Sequence, residues 1–293
     1  FKSRKKNYIK SELPTVMKDF DNLVGLSDIK EQINDLVSLL KFKQKTNIGI
    51  KDFNLHMCFL GNPGTGKTTV GRIITDIFFN LGYINQNKLT EVTARDLIAE
   101  YIGQTSGKTY NVVKSALGGI LFIDEAYAIT NGKGEGARFG NECIATLLKL
   151  MEDYKDKLII VFAGYDEEME EFLGSNPGLT SRIGYKIKFP DYSTEELIQI
   201  FLNLLHENNM DITKSALTKL ENIIKISAKN KNFGNGRYIH NIFQKILIEH
   251  AKNIEKQDMN ENLFLIDDVF LITKEDINYD KLIFETKDKK IGF

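Results

Sequence analysis

The chain of 293 residues has no tryptophan, four prolines, two cysteines and a formal net charge of -1. Each shortage narrows what it can be. Cys58 and Cys143 lie far apart, and Cys58 falls in a strongly apolar run, so buried free thiols in a reducing compartment are a better reading than a disulfide. The near-zero charge supplies no electrostatic reason for a nucleic-acid or anionic-membrane partner. No apolar run approaches the ~20 residues of a spanning helix, and no charged segment followed by an apolar stretch marks a secretory leader. The chain opens on Phe1 rather than Met, as a processed or truncated boundary would. A soluble cytoplasmic protein without membrane insertion is expected. His56, His206, His240 and His250 form no ligand spacing and are expected to be structural or exposed.

What is present points to a chain with a real core. Hydrophobic residues make up 42%, enough for a packed interior, and the length favours one large domain plus a smaller one. Residues 1–20 are Lys-rich and aperiodic, and read as an arm with at most one short helix. From residue 55 short apolar runs alternate with helical ones: "LHMCFL", "KLTEV", "GGILFID", "KLIIVFAGY" and the alternating "YKIKFP" as strands, with "TTVGRIITDIFFNLG", "ARDLIAEYI" and "GNECIATLLKLMED" as helices. Strands alternating with helices imply a parallel α/β sheet. After Pro190 three helical segments follow, so the boundaries expected are 1–20 arm, 21–190 α/β domain, 191–278 helical domain and 279–293 tail. A strand-like piece is expected within "LFLIDDVFLITKEDI".

"GNPGTGKT", Gly61 to Thr68, matches G-x-x-x-x-G-K-[ST] in full, with an apolar strand running in and an amphipathic helix running out. Such a loop turns its backbone N–H groups toward phosphate oxygens at the positive end of a helix. Asn62, Pro63, Gly64, Thr65, Gly66, Lys67, Thr68 and Thr69 are the candidate nucleotide contacts. Lys67 would neutralise the β- and γ-phosphates, and the Thr68 hydroxyl would hold Mg²⁺. The strand "GGILFID" ends in Asp124-Glu125, which sits beside that loop if the two strands are neighbours. There Asp124 would bind Mg²⁺ and Glu125 would activate the attacking water of an ATP hydrolysis.

A second stretch, "EYIGQTSGKTYN", carries Gly103 and then Gly107-Lys108-Thr109. It is one residue short of the motif, and no buried strand precedes it. It is not expected to bind a nucleotide.

Together "GNPGTGKT", "ILFIDEA", "SNPGLTSRI" and "GNGRYIHN" resemble the AAA+ ATPases, and "YIGQT", "LFIDEAY" and "FAGY" the CbbX/CfxQ branch of them. That branch includes stage V sporulation protein K-like proteins and red-type Rubisco activases. The resemblance covers roughly residues 20 to 277. It implies a P-loop AAA+ module with a mainly parallel five-stranded sheet and a small helical lid, using ATP and Mg²⁺ in a ring, typically a hexamer, that remodels or partly threads a protein client. It implies Arg182 as an arginine finger, Arg237 as a lid arginine coupled to the nucleotide, and Val24 with Gly25 beside the adenine. Tyr101, Ile102 and Gly103 match the pore loop that grips the client, and "NGKGEGARFGNE" a second, flexible pore loop. One departure stands out: many relatives end the "LIIVFAGY" strand with an asparagine that helps place the water, and here Gly164 and Tyr165 stand there. Tyr165, Asp166 and Glu167 are candidates to replace it. The rival readings are a DNA-directed ATPase of clamp-loader or initiator type, which should show a basic stripe, and a small-molecule P-loop kinase.

Overall fold

The computed structural model describes residues 12–46, 54–101, 103–131, 134–230, 233–258 and 269–282. Five short strands build one sheet: β1 (Met57–Gly61), β2 (Leu89–Thr93), β3 (Ile120–Asp124), β4 (Ile159–Gly164) and β5 (Tyr185–Phe189). Their order is β2-β3-β4-β1-β5 and every pairing is parallel. The three central strands are the continuous apolar runs. Met57, Cys58 and Phe59 of β1 are sealed from solvent, as are Ile160 to Ala163 of β4, because helices cover a parallel sheet on both faces. β5, paired on one side only, alternates instead: Ile187 and Phe189 are buried, while Lys186 and Lys188 are exposed on the open edge.

The helices around this sheet are α1 (Leu13–Asp21), α2 (Ser27–Thr46), α3 (Lys67–Asn80), α4 (Ala94–Leu97), α5 (Thr105–Ser115), α6 (Glu135–Asp153), α7 (Asp166–Gly174) and α8 (Pro177–Arg182). α3 buries Val70, Ile74, Ile77 and Phe78, the stripe its periodicity predicts. On one side of the sheet Phe59 meets Phe122 edge-on at 6.1 Å and Phe189 at 5.0 Å. Each such buried ring contributes about 1.5–3 kcal/mol from removal of apolar surface. The buried thiols of Cys58 and Cys143 are pushed up to about 12 and about 11 by loss of solvation, so both stay neutral.

Three readings change here, and one helix is added. β4 stands between β1 and β3, so the loop and the acids are not on neighbouring strands. The helix expected over "ARDLIAEYI" stops at Leu97; Ile98 is already extended (φ -91, ψ 135), and the apolar spacing beyond it belongs to an irregular turn. The second glycine-lysine-threonine lies inside α5, a helix the sequence pattern does not announce. The polar stretch "NGKGEGARFGNE" is helical from Glu135 onward as the start of α6, and residues 132 and 133 lie outside the described residues.

The described residues of 1–61 and 66–189 form one compact unit, and those of 62–65 and 190–293 a second. The second is built from α9 (Thr194–Glu207), β6 (Asp211–Ile212), α10 (Lys214–Ser227), α11 (Asn235–Asp258), β7 (Leu271–Ile272) and α12 (Tyr279–Leu282). Ser193 caps α9, accepting from the Glu196 N–H at 3.1 Å, while the Glu196 carboxylate accepts from the Ser193 N–H at 2.7 Å. Phe201, Ile223, Ile239 and Ile272 meet in its core. β7 is the strand expected near the end of the chain, and it pairs with β6. Asp276, buried, ties β7 to α11: it accepts from Asn253 at 2.8 Å and from the Thr273 N–H at 2.8 Å, and it lies 3.0 Å from His250 Nδ1.

Candidate functional site

The phosphate loop follows from how β1 ends. Gly66 has φ +95, a left-handed conformation that only glycine adopts without strain, and it starts α3 with no side chain capping the helix. The positive end of a 14-residue helix thus opens directly at the loop, where an anion is favoured. Lys67 Nζ donates to the Gly61 carbonyl at 2.7 Å, which folds the ammonium back over the loop. Thr65 is buried and its hydroxyl donates to Asn62 O at 2.8 Å. Thr68 is half-buried and Thr69 exposed. An ammonium and a helix N-terminus suit the phosphates of a nucleotide, and the Thr68 hydroxyl oxygen could ligate its metal.

Asp124 ends β3, and its carboxylate accepts from the Glu125 N–H at 3.0 Å. Glu125 is exposed and left-handed, with φ 48 and ψ 44. For a residue with a side chain that conformation costs on the order of 1–3 kcal/mol, strain of the kind found at functional sites. Parallel pairing brings Gly61 and Asp124 to the same carboxyl edge. Two strand spacings separate β1 from β3, roughly 10 Å, the room a bound phosphate chain and a water need.

β4 ends between them. A Cβ on Gly164 would lie 2.8 Å from both the Tyr127 ring and the Met169 side chain. Tyr127 fills that room and stacks on Tyr165, with centroids 5.6 Å apart and planes 30° apart. Burial first, then the Glu125 charge, push the Tyr127 hydroxyl up to about 12, so it stays a neutral phenol among acids. Asp166 is held by Lys188 at 2.8 Å, whereas Glu167 is exposed. Tyr127 is a residue the motif reading missed; it stands two places after Glu125, and only the register of β3 against β4 reveals it.

Arg182 stands elsewhere. It ends α8 just before β5, whose first residue, Tyr185, pairs with Met57 at the start of β1. Its carbonyl accepts from Asn54 Nδ2, and the Gly184 N–H donates to His56 O at 2.9 Å. Its guanidinium is 3.7 Å from Glu152. Arg182 is therefore at the amino edge of the sheet, one strand length, about 16 Å, from the phosphate loop of its own chain. His56 fixes this corner: its Nδ1 accepts from the Ile160 N–H at 2.9 Å, and burial lowers its pKa to about 4, so the ring is neutral.

Val24 and Gly25 lie half-buried in the turn between α1 and α2, tied by Lys30, whose ammonium donates to Asp21 O at 2.8 Å and Leu23 O at 2.6 Å. In the second unit Arg237 is exposed on the first turn of α11. The Gly236 N–H donates to Gly64 O at 3.0 Å, and a Cβ on Gly64 would strike Gly234 O at 2.1 Å. Asn235, fully buried with φ 47, donates to Asp191 at 2.8 Å and Pro63 O at 3.4 Å, and it accepts from the Tyr192 N–H at 3.1 Å. Asp191 also accepts from Asn62 at 3.0 Å. These two polar residues were not singled out from the sequence, and the asparagine of "GNGR" was the available signal. Tyr101 is 67% exposed, so it does not pack on the core, and Gly103 has open space around it. Ile102 lies outside the described residues.

Among the described residues no group of His, Cys, Asp and Glu forms a metal site by itself, and no helix is long and apolar enough to cross a membrane. The family model for the ATPase family associated with various cellular activities (AAA) matches residues 57–191, and that for an AAA lid domain matches 193–287. The chain is 40% identical over 248 residues to the chloroplastic ribulose bisphosphate carboxylase/oxygenase activase of Cyanidioschyzon merolae, covering 83% of this chain and 84% of that one. It is 38% identical over 272 residues to the stage V sporulation protein K of Bacillus subtilis, covering 91% and 83%. Proteins named CfxQ homolog and CbbX match over comparable lengths. The fold is that of the solved FIGL-1 AAA domain, with a TM-score of 0.61 at 18% identity over 98% of this chain and 94% of that one.

Proposed function

The chain belongs to the AAA ATPase family, on the branch of the CfxQ and CbbX proteins, and we propose that copies of it form a ring in which ATP hydrolysis drives the remodelling of a protein client held by Tyr101. Lys67 neutralises the phosphate oxygens, and the α3 N-terminus orients them. Glu125 accepts the proton of the attacking water. The neutral Tyr127 phenol, stacked on Tyr165, stands where it can hold that water. Magnesium arriving with the nucleotide would be held by Thr68 and Asp124 and would neutralise charge developing at the phosphates. Val24 and Gly25 would line the adenine, and Arg237 is the candidate lid arginine coupled to the nucleotide.

The observation that carries the ring is the position of Arg182 at the amino edge of the sheet. A guanidinium about one strand length from its own phosphate loop is of use to the site of another copy. In nucleotide hydrolases such a finger contributes ~10³–10⁵ in rate. Tyr101 supports the client role, because an exposed aromatic ring grips a polypeptide without reading its sequence. One relative is named as an activase of ribulose bisphosphate carboxylase/oxygenase and another as a sporulation protein. The first name suits a protein client.

The test mixes two disabled variants. Glu125→Gln should lower turnover by roughly 10²–10⁴-fold, the usual share of a general base, and Arg182→Ala should be similarly slow. Mixed subunits should recover ATPase activity, since an intact finger then meets an intact acid. No recovery, with assembly verified by sedimentation, means that Arg182 does not act across copies. Tyr101→Ala should weaken capture of fluorescein-labelled casein by the ATP-bound protein; undiminished capture refutes the client contact.

A further inference from the structure

We propose that Lys108, in the second glycine-lysine-threonine, is a positioning residue that presents Tyr101 to the client. The inference rests on the reading of Tyr101 as the client contact. Its structural ground is the way α4 ends. α4 is a single turn, so its last carbonyls have no partner within the helix. The chain leaves it extended at Ile98, which rules out satisfying them by continuing the helix. α5 satisfies them from outside. Lys108 Nζ donates to Arg95 O at 2.6 Å and to Ile98 O at 2.8 Å. Beside it, Thr109 Oγ1 donates to Leu97 O at 3.0 Å, and Thr105 Oγ1 accepts from the Ala99 N–H at 3.2 Å.

These bonds draw residues 95–99 against 105–109. Tyr101 lies between the two joined segments, 67% exposed, with its carbonyl accepting from the Gln104 N–H at 3.3 Å. The base is anchored in turn. The Ser106 N–H and hydroxyl donate to the Glu142 carboxylate at 2.9 and 2.7 Å, and Thr146 donates to Ser106 Oγ at 3.2 Å. Glu142 and Thr146 belong to α6, the helix that follows the strand and turn bearing Asp124 and Glu125. The Tyr101 stretch is thus fixed to the element downstream of the catalytic acid. An ammonium suits this place because its charge strengthens both bonds to the carbonyls. Arginine keeps donors and charge there, whereas methionine keeps only the stem.

The chain contains no tryptophan, so Tyr101→Trp introduces a single fluorescent reporter. Its anisotropy and acrylamide quenching are measured in the full-length chain, alone and combined with Lys108→Met or Lys108→Arg. Capture of fluorescein-labelled casein is measured in parallel in the Glu125→Gln background with Tyr101 intact. Lys108→Met is expected to lower the anisotropy, raise the quenching and weaken capture about tenfold, the order set by losing a charge-assisted hydrogen bond. Lys108→Arg is expected to restore all three. Unchanged indole signals with Lys108→Met overturn the inference, as does a failure of arginine to rescue them. If Lys108→Met does not fold by circular dichroism, Lys108→Gln replaces it and is read the same way. Tyr101→Ala separates the two ideas. Normal capture by that variant removes the client reading, while the indole signals still decide whether Lys108 holds the stretch. Loss of capture with Tyr101→Ala but not with Lys108→Met removes the role of Lys108.

Discussion

Gly66-Lys67-Thr68 and Gly107-Lys108-Thr109 are the same tripeptide in two settings, and almost nothing about them is shared. The first lies where a buried strand becomes a helix, with its glycine left-handed at φ +95 and its lysine folded onto Gly61 O. The second is inside α5, where Gly107 has no special conformation and Lys108 and Thr109 reach back to the carbonyls of α4. A lysine ammonium offers the same donors in both places. The backbone decides whether they face a ligand or the chain's own orphaned acceptors.

Three paired substitutions test this contrast. The largest effect is expected from the lysines. Lys67→Ala should weaken binding of a fluorescent ATP analogue by ~10²–10³-fold, as the loss of a phosphate clamp does, and Lys108→Ala should weaken it far less. Equal losses would mean that the second stretch also touches nucleotide. The threonines come next. Thr109 is fully buried, so Thr109→Val leaves Leu97 O without its donor and should cost about 1–3 kcal/mol in urea unfolding. Thr68→Val should show mainly as a loss of magnesium-dependent turnover. The glycines should differ in sign. Gly66→Ala forces a Cβ into a left-handed residue and should destabilise by about 1–2 kcal/mol. Gly107→Ala meets no neighbour in a helix and should stabilise by about 0.5–1 kcal/mol. A destabilising Gly107→Ala would argue that α5 is not helical at that point.

Much of the proposed nucleotide site was legible because phosphate binding is a local demand. The loop needs its glycines, lysine and threonine in consecutive order, and the acids need only follow an apolar strand. The parallel sheet was legible for the same reason, since β1, β3 and β4 must be apolar on both faces. Three things were not. α5 has a weak apolar stripe and was not assigned as a helix, because the N–H of Ser106 in its first turn is met from α6 by Glu142 rather than by its own sequence. Tyr127 was hidden because its importance lies in the room left by Gly164, 37 positions away. Asn235 was hidden because its three bonds go to Pro63, Asp191 and Tyr192, none of them near it in sequence.

The sequence by itself determined where the phosphate chemistry is proposed: Lys67, Thr68, Asp124 and Glu125 are readable from spacing, since each stands next to a predictable strand end. The tertiary structure alone decided the partners of that chemistry. It put β4 between the loop and the acids, set Arg182 at the far edge of the sheet, and turned the second glycine-lysine-threonine into the clasp beneath Tyr101. The reason is one of range. A strand end or a helix start is set by its neighbours in the chain, whereas strand order and orphaned carbonyls are settled only when distant segments compete to fill the same space.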